Sequence, residues 1–255
     1  MSISLRESKN AYKYTVKTQK WIRMLTDKER SQLQERLVRL YLRLNGYFSD
    51  GFIVHNDING RISSEVDILG VRFPNHSESE REVGLCPRLQ LNDSNDIDVL
   101  IGEVKSNGVS LRFNNAISAN IEVLRKILNR VGAMEREVVD RCIADIHGLF
   151  SPKPINSDSV KRILIPESNV QISILLFAPE TNNQRNNQNY FITGNDIFTY
   201  IWSCFRPENT RESCSVRYDF SAWRDYEDIV RYFKDRDRKR PGSINDLYAF
   251  VEQNR

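Results

Sequence analysis

The residues able to do chemistry are acids and one lysine set on two apolar stretches. Glu65-Val-Asp-Ile-Leu69 embeds Asp67 among apolar residues, and Ile101-Gly-Glu-Val-Lys105 closes an apolar run with Glu103 and Lys105. Residues two apart on a strand share a face, so Glu103 and Lys105 project together while Val104 packs the other way. If the two strands pair, Asp67 approaches Glu103. Burying two carboxylates and an ammonium on an apolar sheet without a compensating ion is costly. Two acids alone repel, and the pKa of one rises. A divalent cation between them lets both stay ionised, and hard oxygen ligands suit Mg2+. Lys105 then stands where it can orient or activate a water, or offset charge that builds on a phosphate.

The pattern alone carries little weight. Acid-x-Lys occurs three times, at Glu7–Lys9, Glu103–Lys105 and Asp237–Lys239, where composition predicts roughly 1.5 by chance. Only the middle copy ends an apolar strand, and only it follows a strand with its own embedded acid. The bland alternative is a hairpin with an exposed salt-bridge face.

The elements that must position these residues follow from periodicity. Leu33, Leu37, Leu40, Tyr41 and Leu44 recur at helical spacing and predict a helix over 27–44. Asn45-Gly46 ends it, Gly46 being suited to a left-handed turn. Strands are expected over 52–55, 63–72 and 97–105. In the second, Glu65, Asp67 and Leu69 alternate with Val66 and Ile68. The polar stretch 74–95 reads as a surface connection with a short strand near 88–91. Helices are expected over 115–131 and 135–148, strands over 170–178 and 190–193, then helices over 195–205, 223–234 and from Ser243. This order predicts an α/β fold, a mixed central sheet flanked by helices.

Two sets of cations have spacing that suits a phosphate backbone. Lys9, Lys13, Lys17 and Lys20 share one face if the arm 1–27 is helical, and Arg36, Arg39 and Arg43 line the first helix. Each set either contacts phosphates or simply solvates a helix face.

Composition excludes several classes. Apolar residues make up 40% and charged residues 28% of the 255, values of a globular chain rather than a disordered one. The net charge of +3 does not by itself demand a polyanion. The apolar run Ile172–Ala178 is far shorter than a membrane span. The first residues lack the apolar stretch of a signal peptide, so a cytoplasmic location is expected. Cysteines at 86, 142, 204 and 214 fit no Cys-x-x-Cys spacing, and three histidines do not make a zinc site. Neither a phosphate loop nor a dinucleotide fingerprint is present.

An acid on one strand, Glu-x-Lys on the next and a flanking helix on either side resemble the PD-(D/E)XK phosphodiesterase superfamily, the restriction-endonuclease-like fold. Glu35–Gly46 is similar to the first helix and glycine turn of the archaeal Holliday-junction resolvase and Mrr-like branches. Glu65–Gly70 and Ile101–Lys105 are similar to the two catalytic strands. The resemblance covers about 28–131 and extends toward 205. It implies a nuclease-like domain (28–205); the basic N-terminal arm (1–27) and a C-terminal helical extension packed on the core (206–255) lie outside it.

By this resemblance Asp67 and Glu103 ligate Mg2+, for which Mn2+ is expected to substitute, joined by the Val104 carbonyl. Lys105 positions the attacking water, and Glu35 reaches the site from the first helix. Glu35, Val38 and Leu42 form a stripe bordering the apolar face, which allows that projection. The implied activity is Mg2+-dependent endonucleolytic hydrolysis of DNA by a metal-activated water, with 5′-phosphate products. RNA stays open as a substrate, as does a homodimer supplying one site per strand. The alternative is a catalytically silent nuclease-fold module that binds nucleic acid or scaffolds a partner. The strand proline typical of the superfamily is replaced by Val66. The long connection from Asp67 to Glu103 leaves Glu65, Asp96 and Asp98 as rival ligands. Glu65 is the closest rival, whereas Asp98 falls on the face opposite Glu103. Asn114, Asn115 and Asn120 are candidates for the polar residue that some branches carry on the next helix.

Overall fold

The computed structural model describes residues 23–55, 60–78, 81–91, 95–106, 111–151, 160–183, 190–209 and 219–254. Lys9, Lys13, Lys17 and Lys20, and most of the basic arm with them, lie outside the described residues.

Helix α1 (Asp27–Leu44) starts at a reciprocal cap. The Thr26 hydroxyl accepts the Glu29 N–H at 3.3 Å, and the Glu29 carboxylate accepts the Thr26 N–H at 2.9 Å. Gly46 closes it at φ +83°, where a Cβ would also run into the His76 ring. Strands β1 (Phe48–His55), β2 (Ile62–Arg72) and β3 (Ile97–Val104) then form an antiparallel meander. Helices α2 (Asn115–Ser118), α3 (Ile121–Val131) and α4 (Arg136–Gly148) follow. After β4 (Lys161–Ile165), β5 (Val170–Ala178) runs parallel to β3 and is buried along its whole length. A short β6 (Phe191–Thr193) lies parallel to β5 and leads into α5 (Gly194–Phe205). A 3-10 segment, Phe220–Tyr226, precedes α6 (Glu227–Lys234) and α7 (Ile244–Gln253).

The result is an α/β architecture, an open six-stranded mixed sheet of order β1-β2-β3-β5-β4 with β6 paired to β5. Alternation along β3 and β5 separates two apolar layers. Ile68, Leu100, Leu175 and Phe177 meet α1, α5, α6 and α7. Val66, Val99, Ile101, Ile172 and Leu176 meet α2, α3 and α4. The C-terminal helices therefore share one core with α1. Leu25 N–H donates to the Glu252 carboxylate at 2.8 Å, and Gln34 donates to the Tyr248 hydroxyl at 2.7 Å.

Several expectations are corrected. β1 begins at Phe48, four residues early, because the chain enters the sheet straight from the Gly46 turn. The short strand expected near 88–91 is instead a 3-10 turn, Pro87–Leu89, started by the proline. The helix expected over 115–131 breaks in two, with the Asn114 and Asn120 side chains capping α2 and α3. The late helix begins as a 3-10 turn with Arg224 at φ 48°. β4 was not anticipated.

The simple alternation of β2 is corrected as well. Asp50 pairs with Leu69 but Phe52 pairs with Val66, so Gly51 alone faces both Asp67 and Ile68. This is a β-bulge. Beyond it the faces exchange: Ile68 packs in the α1 layer, while Val66 packs with Ile101 in the other.

Candidate metal centre at the fork of two strands

The regular β2–β3 ladder runs from Arg72↔Asp98 to Ile68↔Gly102 and stops there. The next residues on each strand are Asp67 and Glu103. Because Asp67 sits in the bulge, its carboxylate reaches across to β3, and Oδ2 accepts the Val104 N–H at 2.9 Å. A side chain thus takes over the strand-to-strand bond where the backbones diverge.

Glu103 is only 2% exposed. Its Oε2 accepts the Asn114 N–H at 2.6 Å and lies 3.1 Å from the Lys105 ammonium. The same loop places Asn114 at the start of α2, where its side chain caps the helix by accepting the Ala116 N–H at 2.9 Å. Lys105 leaves the sheet immediately after β3, anchored by its backbone N–H to the Phe177 carbonyl at 2.8 Å. Its side chain stays partly open to solvent.

Glu35 comes to this region from α1. Its carboxylate pairs with Arg39 one turn later at 3.0 Å, and Arg39 also reaches Asp50 on β1 at 3.3 Å. Burial pushes the Glu35 carboxyl up, the Asp67 charge pushes it further, Arg39 counteracts, and Glu65 adds a smaller push. Glu103 is also raised, by burial first, against the pull of Lys105 and the Asn114 N–H, with Asp67 adding to the rise. Glu65 itself is exposed.

These relations define the electrostatics of the site. The Asp67 charge acts on both Glu35 and Glu103, Glu65 acts on Glu35, and the cations set among them are Arg39 and Lys105. The like charge that helps raise Glu35 and Glu103 is one that a hard cation would neutralise. The donor set fits such an ion: carboxylate oxygens of Asp67 and Glu103, with the Val104 backbone between them. Among the described residues no three His, Cys, Asp or Glu side chains converge as a ready metal cage. A cation here would therefore take two carboxylates and complete its shell with carbonyl and solvent oxygens, as Mg2+ commonly does.

Arg36 forms a two-pronged pair with Asp228 at 2.8 and 2.7 Å. Arg43 lies over the Trp223 and Tyr226 rings at 4.9 and 5.9 Å. Together with Arg39 they hold α1 to its neighbours. Asp98 is buried at the far end of β3 with its own partners. Sequence reasoning missed Arg39 as the holder of Glu35, although the i,i+4 spacing was legible. It also missed the backbone role of Asn114, for which a sequence carries no signal. No family model, no curated protein and no solved structure matches this chain. No described helix is long and apolar enough to cross a membrane.

Proposed function

We propose that this chain is a Mg2+-dependent endonuclease on a restriction-endonuclease-like core, hydrolysing DNA phosphodiester bonds to leave 5′-phosphate ends. The observation that carries the reading is that, where the β2–β3 ladder ends, Asp67 accepts the Val104 N–H and its charge acts on Glu103, which pairs with Lys105. The order of one helix, an antiparallel meander, helices and a parallel return strand supports the fold assignment.

Each residue has a distinct task. Asp67 and Glu103, with the Val104 carbonyl, would hold the cation. Bound Mg2+ would supply Lewis acidity toward a phosphate oxygen. Lys105 orients a water toward phosphorus and offsets the charge that develops there. Its pair with Glu103 limits the positions it can adopt. The Asn114 N–H fixes the Glu103 carboxylate, and Arg39 fixes Glu35 at the edge of the site.

The test is cleavage by the purified full chain of linear, branched and single-stranded DNA, and of RNA, in Mg2+, Mn2+ or EDTA. Cleavage is expected with either metal and lost in EDTA. Lys105→Ala should abolish cleavage and leave DNA binding nearly intact. Wild-type turnover by that variant would overturn the assignment, and metal-independent binding without cleavage would favour the silent module.

A further inference from the structure

We propose a second site, distinct from the acids at the strand fork: a nucleotide-binding cavity bounded by α1, the Phe220–Tyr226 segment, α6 and α7. The cavity measures 540 Å³, within the range of about 300–1,000 Å³ that small-molecule sites occupy. Three guanidiniums from three elements line it: Arg36, Arg224 and Arg231. Two are already paired. Arg36 holds Asp228, and Arg231 holds Glu227 at 2.8 and 2.7 Å while lying over Phe220. The Arg224 guanidinium has no hydrogen bond or ion pair among the described residues, and its backbone sits at φ 48°, ψ −113°. Positive φ at a long, non-glycine residue is uncommon and needs surroundings that enforce it.

The lining narrows the ligand. A bare anion would meet the carboxylates of Glu227 and Asp228 as well as the cations. An apolar ligand would leave Arg224 unused. A nucleoside monophosphate satisfies every wall. Its phosphomonoester answers Arg224, with the remaining N–H groups of the two paired arginines nearby. Ribose hydroxyls and exocyclic amines donate to Glu227 and Asp228. The base packs on Phe250 and Val251. Asn254 donates its amide to the Phe250 carbonyl at 2.8 Å, leaving Oδ1 to accept. The same chemistry is presented by a free 5′-nucleotide and by the 5′-phosphorylated end of a strand. The inference stands apart from the nuclease reading, since it uses none of the acids at the fork.

The experiment is calorimetric titration of the full chain, in EDTA, with the four nucleoside 5′-monophosphates, their nucleosides, inorganic phosphate, and a short single strand with or without a 5′-phosphate. Nucleotides are expected to bind, with nucleosides and inorganic phosphate about tenfold weaker or more. Arg224→Gly removes the cation and suits the backbone, and should lose about tenfold or more in affinity. Arg224→Gln serves the same purpose if the glycine variant folds poorly. Lys105→Ala should bind nucleotide like the wild type, which separates this site from the fork. Binding of the phosphorylated strand alone assigns the cavity to strand ends, and binding of free nucleotides assigns it to them. Failure of both to bind, equal affinity for inorganic phosphate, or affinity unchanged in both Arg224 variants overturns the proposal.

Discussion

β3 carries two buried carboxylates five residues apart, and their surroundings differ in kind. Asp98 is fully buried and balanced. It accepts from the Tyr47 hydroxyl, from Ser173 at 2.8 Å and from Gln171 at 3.4 Å, with the buried Arg72 at 3.9 Å. Arg72 in turn donates to the Asn45 and Leu89 carbonyls and lies over the Tyr47 ring. Burial, and then the Asp98 charge, push the Tyr47 hydroxyl well up, so it stays a donor. Glu103 is almost as buried, yet both of its partners act on one oxygen, and Asp67 adds a like charge. One end of the strand is a dense polar network of the kind that fixes a fold. At the other, burial and the Asp67 charge raise Glu103, a perturbation of the kind that clusters at functional sites.

Exchanging the roles of the two ends gives the largest expected effects. Asp98→Ala strands Arg72 inside the protein and should cost about 3–5 kcal/mol, the usual penalty for breaking a buried pair. Urea unfolding measures it. Asp67→Asn, at the other end of the ladder, should leave stability within about 1 kcal/mol, or raise it, because it removes a repelling charge. The same variant should lose Mn2+ binding in calorimetry and lose cleavage. A severe loss of stability in Asp67→Asn, with metal uptake retained, would make the fork a structural network like its counterpart.

These two ends were legible to different degrees. The approach of Asp67 to Glu103 follows from strand order and from the apolar context of both motifs. The α1 boundaries follow from leucine periodicity, the Thr26–Glu29 cap and Gly46. The bulge did not, because it is a property of the β1–β2 register and arises where Gly51 faces two residues. Alternation in Glu65–Leu69 reads as regular because the exchange of faces falls within it, at the Asp67–Ile68 bulge. β4 was hidden by its Lys161-Arg162 start, and its place in the sheet comes from pairing with β5. The break before α3 was hidden because helical spacing of the apolar residues continues across Asn120.

A smaller effect separates the ends by pH. Glu103 and Glu35 both have carboxyls raised by burial and like charge. The folded state then holds those protons more tightly than the unfolded chain. The metal-free protein should therefore lose stability as the pH rises from the usual carboxylate range through the raised folded values. Mg2+ favours the ionised forms, so the rise in Tm it produces should be larger at pH 8 than at pH 5. For cleavage the sign is reversed: the rate should increase with pH along a limb lying above the usual carboxylate range. Asp98→Asn, if it folds, should leave that limb in place. A Mg2+ effect on Tm independent of pH would detach the raised carboxyls from ion binding.

The finest distinction concerns Arg39, which holds Glu35 at 3.0 Å and Asp50 at 3.3 Å. An ion pair of this exposure contributes about 0.2–1 kcal/mol, so Arg39→Ala should unfold nearly like the wild type. Its consequence for Glu35 is more specific. Arg39 is the main influence lowering that carboxyl against burial and Asp67. Without it the acid limb of the rate profile should move to higher pH, with the rate near pH 8 close to wild type. Arg39→Lys should move the limb part of the way back. If Arg39 instead serves as a phosphate contact, its loss should weaken DNA binding at every pH and reduce the salt dependence of binding by about one phosphate contact. A moved limb with unchanged salt dependence assigns Arg39 to Glu35, and through Glu35 to the fork. The opposite pair of results assigns it to the nucleic-acid backbone and leaves Glu35 a surface acid of α1.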